Sequence, residues 1–462
     1  MTFSRSLPPV SCCNPNTLAR LHVVARQKML NNIHIVLFLS LLQLATSLDL
    51  PKVTWYAPFL SGGGYSSEAI TFAIELQSKI PFSIVQFAEH SKNTFIQGLP
   101  RSTITTLKEM MISGSRVPPS ITICHATPDV FLPNANWGWG RVAPCPPPNS
   151  LLKIARTMYE TDRLPLSWVP KLNLMDKIWV PTEFHRQTFQ THGIDPSKIV
   201  VIPEAVDVDF FNPNVTPMPL NEILSSSTST STSNKFNKSN KPYIFLSVFK
   251  WEERKNWKGL LRAYFEEFTL NDNVLLILKT TPFHNDRSVN EDISEFTEFL
   301  GIGTNRNNLA PYHIFGQHLE LFELPALYNA ADAFVLPSRG EGWGRPHAEA
   351  MSMGLPTIAT NWSGNLAFMN QTNSLLIPVE KLIERNVHSL EGHLWAEPSN
   401  QGLKELMRKC YKEPEVVKAI GKLGRKTMVK NYNPNVVGSL IINELKKEWE
   451  EKMNSASRIE EL

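Results

Sequence analysis

The chain has 462 residues, more than one hydrophobic core usually serves, so two or three domains are expected. Hydrophobic residues make up 42% and charged residues 19%, which excludes a wholly disordered chain and a long coiled coil. The formal net charge is +3, but the first 47 residues hold four basic residues and no acidic one, which leaves 42 basic and 43 acidic residues in 48–462. A nucleic-acid-binding protein normally needs a strong basic excess, so nucleic acid is not an expected partner.

Residues 1–47 form a predicted leader. Residues 35–42 are an almost unbroken apolar run, which has the length of a signal-peptide core and is short for a membrane span. Ala45-Thr46-Ser47 offers a small-residue cleavage site. A cleaved signal, an uncleaved type II anchor and a buried element of the first domain all stay open, as does a start at Met29. The first two would put the protein, soluble or anchored, in the lumen of the ER or Golgi, and the third would leave it in the cytoplasm.

Cysteines are sparse after the leader. Cys124, Cys145 and Cys410 are an odd set without metal-binding spacing, so we expect neither a disulfide framework nor a structural metal. In a secretory lumen the chain would be a glycoprotein, because four sequons permit N-glycosylation, at Asn214, Asn237, Asn361 and Asn370.

From residue 51 onward, short β-branched or aromatic runs alternate with amphipathic stretches, the pattern of βαβ units around a parallel sheet. A helix is predicted over 65–80. The predicted strands of this first series are 53–57, 84–87, 120–124, 177–180 and 198–202. Residues 48–222 are therefore expected to form one doubly wound α/β domain.

A stretch poor in apolar residues separates this series from a second one. Residues 225–241 cannot bury enough surface to fold alone, which predicts a low-complexity linker or insertion over 223–241. A second doubly wound domain is predicted over 242–428, and helices over 429–462 whose packing back on the first domain is an open alternative. The predicted strands of this second domain are 243–249, 274–278, 312–315, 333–336 and 357–360, and its predicted helices are 258–268 and 324–330. Two such domains imply a cleft with functional residues just after strands.

The strongest motif is AFVLPSRGEGWGRPHAEAMSMGLPTIAT at 333–360, a buried strand, a glycine-rich loop and a helix. Glu341 lies in the loop and Glu349 lies on the helix. The helix N-terminus favours an anion, and Gly342 and Gly344 let a ligand approach the backbone closely. A diphosphate on the amides with sugar hydroxyls on the acids would use every part of this arrangement.

This acid pair and its surroundings resemble the carboxy-terminal domain of retaining GT-B glycosyltransferases of the family 4 type, the glycosyl transferases group 1 domain. The resemblance extends over nearly the whole chain after the leader, through SGGGYSSEA at 61–69, MDKIWVPTEFHRQTF at 175–189, VIPEAVDVDFFNP at 201–213 and ELPALYNAADAFVLPS at 323–338. It implies the GT-B fold, in which two Rossmann-like domains face each other across a cleft.

By that resemblance, Glu341 would touch hydroxyls of the donor sugar and Glu349 the nucleotide ribose. The loop between them would also contact the donor. This sequence carries Trp343 and Arg345 where many relatives have Phe and aliphatic residues, and Arg345 could add a phosphate contact.

Two lysines in SVFKWEERKNWKG at 247–259 are similar to the family's paired basic residues. Lys250 follows a predicted strand and Lys255 lies in the next loop, where they would neutralise the diphosphate as the glycosidic bond breaks. Arg254 and Lys258 are expected to face solvent.

The first domain offers His125 at the end of a predicted strand. Taken alone, such a histidine is more often a capping or packing residue, but the resemblance places it near the donor's sugar. There His125 and Glu341 would stabilise the developing oxocarbenium. Gly63 and Gly64 would form the opposite wall of the cleft and contact the donor.

Two further groups stay open. Glu160, Asp162 and Arg163 could line the acceptor side or form a salt-linked turn. Trp137 and Trp139 could stack on sugar rings or pack as an apolar lid.

The predicted function is a retaining transfer of a sugar, with a hexose expected, from a UDP- or GDP-linked donor to a hydroxyl of a glycan, lipid or protein. No metal and no further cofactor is expected, since lysines and a helix dipole would take the metal's place. The alternatives are a catalytically inactive GT-B sugar-binding or scaffold subunit, and a GT-B epimerase or phosphorylase. The donor base, sugar, acceptor, oligomeric state and membrane association through the leader stay open.

Overall fold

A computed structural model describes residues 50–112, 120–131, 144–225, 241–282, 287–302, 309–316, 319–385 and 391–460. The predicted leader, Trp137, Trp139, Asn237 and most of the predicted linker lie outside the described residues. Both sheets of the protein lie in one compact unit within 51–462. No helix among the described residues is long and apolar enough to span a membrane.

The first sheet has six parallel strands in the order β2-β1-β3-β4-β5-β6. Its strands are β1 Val53–Ala57, β2 Phe82–Gln86, β3 Ile121–His125, β4 Leu152–Arg156, β5 Lys177–Val180 and β6 Ile199–Val201. Its helices are α1 Gly64–Leu76, α2 Asn93–Gln97, α3 Arg101–Met110, α4 Trp168–Asn173 and α5 Glu183–Thr191. All five residues of β1 are buried, as expected of a strand covered on both faces by helices.

The second sheet has six parallel strands in the order β12-β11-β10-β7-β8-β9. Its strands are β7 Tyr243–Trp251, β8 Val274–Pro282, β9 Tyr312–Phe315, β10 Ala333–Leu336, β11 Thr357–Thr360 and β12 Leu375–Ile377. The helices of this half are α6 Leu220–Ser225, α7 Trp257–Glu267, α8 Val289–Phe299, α9 Leu324–Ala330, α10 Arg345–Ser352, α11 Asn400–Lys412 and α12 Pro414–Asn431, and α13 Pro434–Glu460 follows them. The fold class predicted from the sequence, two doubly wound parallel sheets, is confirmed.

The strand order of each sheet reverses once. In the first sheet β1 lies between β2 and β3, and in the second β7 lies between β8 and β10, so successive crossovers leave in opposite directions at these pairs. The crevice outside the carboxyl ends of such strands is where open α/β sheets bind ligands. The loops after β1, β3, β7 and β10 are therefore the expected walls of a site.

Sequence patterns located most strands but missed four of them and several short helices. Strands β1, β5, β9, β10 and β11 and helix α9 have the predicted bounds, whereas β4, β12 and an antiparallel hairpin were not predicted. The hairpin consists of β13 Val379–Glu384 and β14 Leu394–Pro398, and it belongs to neither six-stranded sheet.

Helix α13 packs against α1 on the first sheet rather than on the second. The indole Nε1 of Trp179, on β5, donates to Oε1 of Glu448 at 2.8 Å, and Lys452 pairs with Asp176 at 2.9 Å. Val437, Ile441 and Leu445 of α13 are fully buried, so the last helix adds apolar packing as well as polar contacts where it covers the first domain.

The cysteine spacing predicted no disulfide framework, but one disulfide forms. Cys124, on β3, is bonded to Cys145, which lies 21 residues further along the chain. Only the fold brings the segment after residue 143 back against β3, and the odd cysteine count concealed the pair. Cys410 is free and buried.

Candidate active site

A cavity of about 650 Å³ lies between the carboxyl ends of the two sheets. Loops after β1, β3, β4 and β6 line it on one side, and the ends of β7, β8 and β10 line it on the other. Ten of the eleven site residues predicted from the sequence line this cavity: Gly63, Gly64, Lys250, Lys255, Glu341, Gly342, Trp343, Gly344, Arg345 and Glu349. His125 does not.

Glu341 forms the centre of a charged cluster on the second-sheet side. Lys255 Nζ donates to both of its carboxylate oxygens, at 2.6 and 2.9 Å, and Arg254 Nη1 donates at 3.1 Å. Burial alone would raise the pKa of Glu341, but Lys255 and Arg254 outweigh it and hold this pKa below its usual range. Glu341 is therefore an ionised acceptor for hydroxyl groups at the cavity surface.

The local fold explains why Lys255 reaches this acid. Strand β7 runs into a turn at Glu253–Lys255, and Asn256 then adopts a left-handed backbone with φ of 54°. Its side chain accepts from the amide of Gly259 and caps α7, which sets the start of the helix. The turn directs Lys255 inward, where only 7% of the residue is exposed.

The loop before α10 brings its backbone close to the opposite wall. Gly344, the N-cap residue, has a φ of +98°, a conformation that favours glycine. A Cβ atom on Gly342 would lie 2.5 Å from Sδ of Met158, so a larger residue there would have to displace the Met158 side chain on the opposite wall. Trp343 is 2% exposed and packs against Phe368. Pro346 has no N–H, and the amides of His347 and Ala348 donate to the carbonyl of Gly344. What the start of α10 offers an anion in the cavity is therefore mainly the positive end of the helix dipole.

Glu349, on α10, accepts a hydrogen bond from the hydroxyl of Tyr328 at 3.0 Å. Burial raises its pKa, against the opposing effects of Arg345 and Tyr328. Nη1 of Arg345 pairs with Glu204 of the first-sheet side at 3.1 Å, and its Nε lies 3.9 Å from Glu349. Arg345 thus joins the two walls of the cavity through carboxylates.

On the first-sheet wall, the position that requires glycine is Gly62, one residue before the predicted Gly63 and Gly64. Gly62 has a φ of +79°, and a Cβ atom there would lie 2.9 Å from the ring of Phe95. Gly63 is the N-cap of α1, and a Cβ atom on Gly64 would meet no atom within 4 Å. Gly63 and Gly64 therefore leave cavity space open instead of relieving a clash with the protein.

His125 lies beneath this wall, fully buried, and its role beside a donor sugar stays a prediction. Its Nε2 lies 3.0 Å from Oε2 of Glu68, and its Nδ1 accepts from the indole of Trp55 at 3.1 Å. Tyr65 covers it edge to face at 5.2 Å and itself lines the cavity. Burial lowers the pKa of His125, with Glu68 opposing and Arg156 adding to the effect.

Glu68 connects His125 to Arg156, whose Nε donates to its carboxylate at 2.8 Å. All three side chains have no exposed surface. Burial raises the pKa of Glu68, but Arg156 and His125 outweigh it, so the acid is ionised. This cluster is part of the packing between α1, β3 and β4.

The expectation that Arg254 faces solvent was wrong. Arg254 lines the cavity, donates to the carbonyl of Gly340 at 2.7 Å and lies 3.6 Å from Glu160 across the cleft. Lys258 is exposed, as predicted. Lys250 lies within β7 instead of after it, because the strand extends to Trp251.

The charged residues in the loop after β4 do not share one role: one faces the cavity and the other two form a salt-linked turn. Glu160 lines the cavity. Asp162 instead pairs with Arg163 at 2.7 Å and accepts from the amide of Leu394 at 2.7 Å, so this pair forms a structural turn.

Several cavity residues were missed by sequence reasoning. Lys279, Thr280 and Thr281 come from the end of β8, where the strand-end rule could have found them. Tyr159 and Arg385 come from a loop and a hairpin and carry no comparable signal. Among the described residues, no group of three His, Cys, Asp or Glu could hold a metal ion.

Comparison with known proteins agrees with this geometry. Residues 229–427 match the glycosyl transferases group 1 family, and the match includes the second sheet and its site loops. Over 195 residues the chain is 27% identical to an Escherichia coli UDP-Gal:alpha-D-GlcNAc-diphosphoundecaprenol alpha-1,3-galactosyltransferase, covering 41% of this chain and 43% of the relative. It is 28% identical over 189 residues to sucrose synthase 2 of Zea mays, covering 37% of this chain and 23% of that relative. The chain thus spans less than half the length of these relatives.

Solved structures cover much more of the chain. The Anabaena protein Alr3699/HepE in complex with UDP-glucose has a TM-score of 0.58 at 13% identity, over 86% of this chain and 100% of its own. A glycosyltransferase from Rickettsia africae has a TM-score of 0.58 at 18% identity, over 87% of this chain and 99% of its own. At these identities the likeness shows the fold, which is the GT-B fold that the motifs implied.

Proposed function

From a GT-B chain whose second domain is a glycosyl transferases group 1 domain, we propose a retaining glycosyltransferase that moves a hexose from a nucleoside diphosphate sugar to a hydroxyl acceptor. The observation that carries the proposal is the convergence of Glu341, Lys255, Glu349 and the start of α10 in one cavity between the sheets. Acids for hydroxyls and cations for a diphosphate then lie within one site.

The donor would be held in two parts. The diphosphate would lie at the positive end of the α10 dipole, where Lys250 and Lys255 add positive charge. Glu341 would accept from hydroxyls of the sugar and Glu349 from those of the ribose. The leaving diphosphate gains negative charge as the bond breaks, so fixed cations and the helix dipole stabilise the transition state. These groups would take the place of a metal ion, and we propose a metal-independent reaction that a chelator leaves unchanged.

Relatives support a hexose and a uridine nucleotide. One is named for transfer from UDP-Gal, and an Escherichia coli protein that is 34% identical over 121 residues is named a mannosyltransferase. We propose that the acceptor hydroxyl attacks the anomeric carbon of the donor sugar on the face from which the nucleotide leaves, and that the departing phosphate accepts the hydroxyl proton. Nuclear magnetic resonance of the product's anomeric carbon would show retention or inversion.

The decisive test compares purified wild type with Glu341→Ala for hydrolysis and transfer across a panel of UDP and GDP sugars. Loss of the acid that orients the sugar should lower kcat/KM by about 10² to 10³-fold. Glu298→Ala, an exposed carboxylate at the end of α8, is the matched control and should be unchanged. A wild type that neither binds nor turns over any donor would contradict the proposed enzyme.

We also propose that the protein works in the lumen of the secretory pathway, with association to a membrane through the leader as a further part of the proposal. The Cys124–Cys145 disulfide supports an oxidising compartment, and Asn214, Asn361 and Asn370 are exposed. In eukaryotic cells, enzymatic removal of N-glycans should increase electrophoretic mobility, and mass spectrometry without reduction should show the disulfide. Unmodified asparagines with free Cys124 and Cys145 thiols would place the protein in the cytoplasm.

A further inference from the structure

The hairpin β13–β14 connects the two walls of the cavity at one edge. Its Leu394 amide donates to Asp162 on the first-sheet side at 2.7 Å. Its Ala396 amide donates to the carbonyl of Arg339 on the second-sheet side at 3.0 Å. The hairpin is thus held by both walls, and a residue projecting from it into the cavity has a fixed position.

Arg385, directly after β13, is such a residue and lines the cavity. Its guanidinium carbon lies 4.9 Å from the ring centroid of Trp395, and its Nη1 donates to the hydroxyl of Tyr159 at 3.2 Å. Tyr159 in turn packs edge to face on Trp168 at 4.9 Å. Stacking and one hydrogen bond therefore orient the planar fork of Arg385 beside the first-sheet wall.

The other arginines of the cavity have carboxylate partners. Arg254 pairs with Glu341, and Arg345 pairs with Glu204. Among the residues that the structure describes, no carboxylate lies within ion-pair distance of Arg385, and its buried Nε has no hydrogen-bond partner. The nearest candidate in sequence, Glu384, accepts from the Gly392 amide at 2.8 Å instead.

A partly buried guanidinium with an unused face gains most from an oxyanion, because its parallel N–H groups match a phosphate or a carboxylate. The proposed donor diphosphate already has the start of α10 and Lys255 on the second-sheet side. Arg385 instead contacts Tyr159, in the loop after β4, where an acceptor would enter opposite the donor. We propose that Arg385 forms an acceptor subsite for an oxyanion, so that the acceptor of this transferase carries a phosphate or carboxylate group close to the reacting hydroxyl. This inference rests on the proposed function.

Calorimetry on the full chain saturated with UDP, or with GDP if UDP does not bind, tests the subsite. The probes are glucose 6-phosphate and glucuronate, with glucose as the uncharged reference, so the two anionic arms distinguish a phosphate from a carboxylate. Wild type should bind at least one anionic sugar about 10-fold more tightly than glucose, because charge-assisted hydrogen bonds are the strong ones. Arg385→Gln should remove the preference and Arg385→Lys should restore part of it. Lys381→Gln, on the exposed side of the same strand, is the matched control and should keep it.

Two results would overturn the subsite: a wild type with no preference for either anionic sugar, or an Arg385→Gln variant that weakens nucleotide binding while keeping the anion preference. Failure of the proposed function has a different signature, since neither UDP nor GDP would then bind to wild type. The anionic probes can still be compared with glucose on the nucleotide-free protein in that case.

Discussion

Two charged clusters of this protein use the same groups, a carboxylate with an arginine and a second basic side chain, in different surroundings. Glu68 is enclosed with Arg156 and His125 between α1 and the first sheet. Glu341 meets Arg254 and Lys255 at the surface of the cavity. The first cluster has no exposed surface and the second opens on a space large enough for a ligand. Residue types alone therefore do not distinguish a structural cluster from a binding one. The difference is whether a ligand can reach the charged groups.

The largest expected effect breaks the enclosed cluster. Glu68→Gln leaves Arg156 buried without a counter-charge, so the free energy of unfolding should fall by about 3–5 kcal/mol. Urea unfolding followed by circular dichroism measures it. Glu183→Gln removes the acid of an exposed pair with Arg186 and should cost less than about 1 kcal/mol. Equal costs for the two variants would contradict the distinction between enclosed and accessible pairs.

A smaller effect is expected at the open cluster, in activity. Arg254→Gln removes hydrogen bonds to Glu341 and Gly340, which should lower kcat/KM for sugar transfer by roughly 10-fold to 100-fold. Lys258→Gln, four residues along and exposed, is the matched control. If both variants keep wild-type kinetics, Arg254 has no part in positioning Glu341.

A third buried acid, Glu448, differs from Glu68 and Glu341 because no cation among the described residues forms an ion pair with it. Burial raises its pKa to about 8, above the roughly 4.3 expected in the unfolded chain. The folded state therefore holds a proton more tightly, and this contribution to stability is present at pH 4 and is lost as pH rises through 8. Glu448→Gln should make the unfolding free energy less dependent on pH and should stabilise the protein by about 1 kcal/mol at pH 9. Parallel curves of wild type and variant between pH 5 and 9 would refute the shift.

The smallest expected effect is the stability cost of Glu341→Gln. Arg254 keeps its contacts with the Gly340 carbonyl and with Glu252 when the acid is neutralised, and it lines the cavity together with Lys255, so the free energy of unfolding should fall by only about 1 kcal/mol. The same urea experiment applies. A loss as large as that of Glu68→Gln would mean that the open cluster also holds the fold together.

The second-sheet half of the site was predictable because it is continuous in sequence. Strand β10, the loop with Glu341 and helix α10 follow one another within 333–352, and their residue types fit that order. The first-sheet half is assembled from separate loops after four strands, so no single stretch of sequence predicts it. His125 shows the limit: the strand-end rule placed it at the correct edge, but it could not show that Tyr65 covers it.

The unpredicted elements share one cause, which is dependence on contacts far away in sequence. The pair Cys124–Cys145 needs the chain to return to β3. Strand β13 exposes most of its residues and so lacks the apolar alternation that marks a half-buried strand. Arg254 looked like a surface residue because its partners, Glu160 and Glu341, lie 94 and 87 positions away.

Because α13 is the last helix of the chain and packs on the first domain, that domain cannot be completed until the second domain has been synthesised. Its Glu448 contacts β5 of the first domain, although the whole second sheet is made in between. At typical rates of about 5–20 residues per second, the roughly 230 residues from β6 to α13 take on the order of ten seconds or more. The first domain thus leaves the ribosome with the side of α1 and β5 uncovered, and its folding is completed only when the second domain has already emerged.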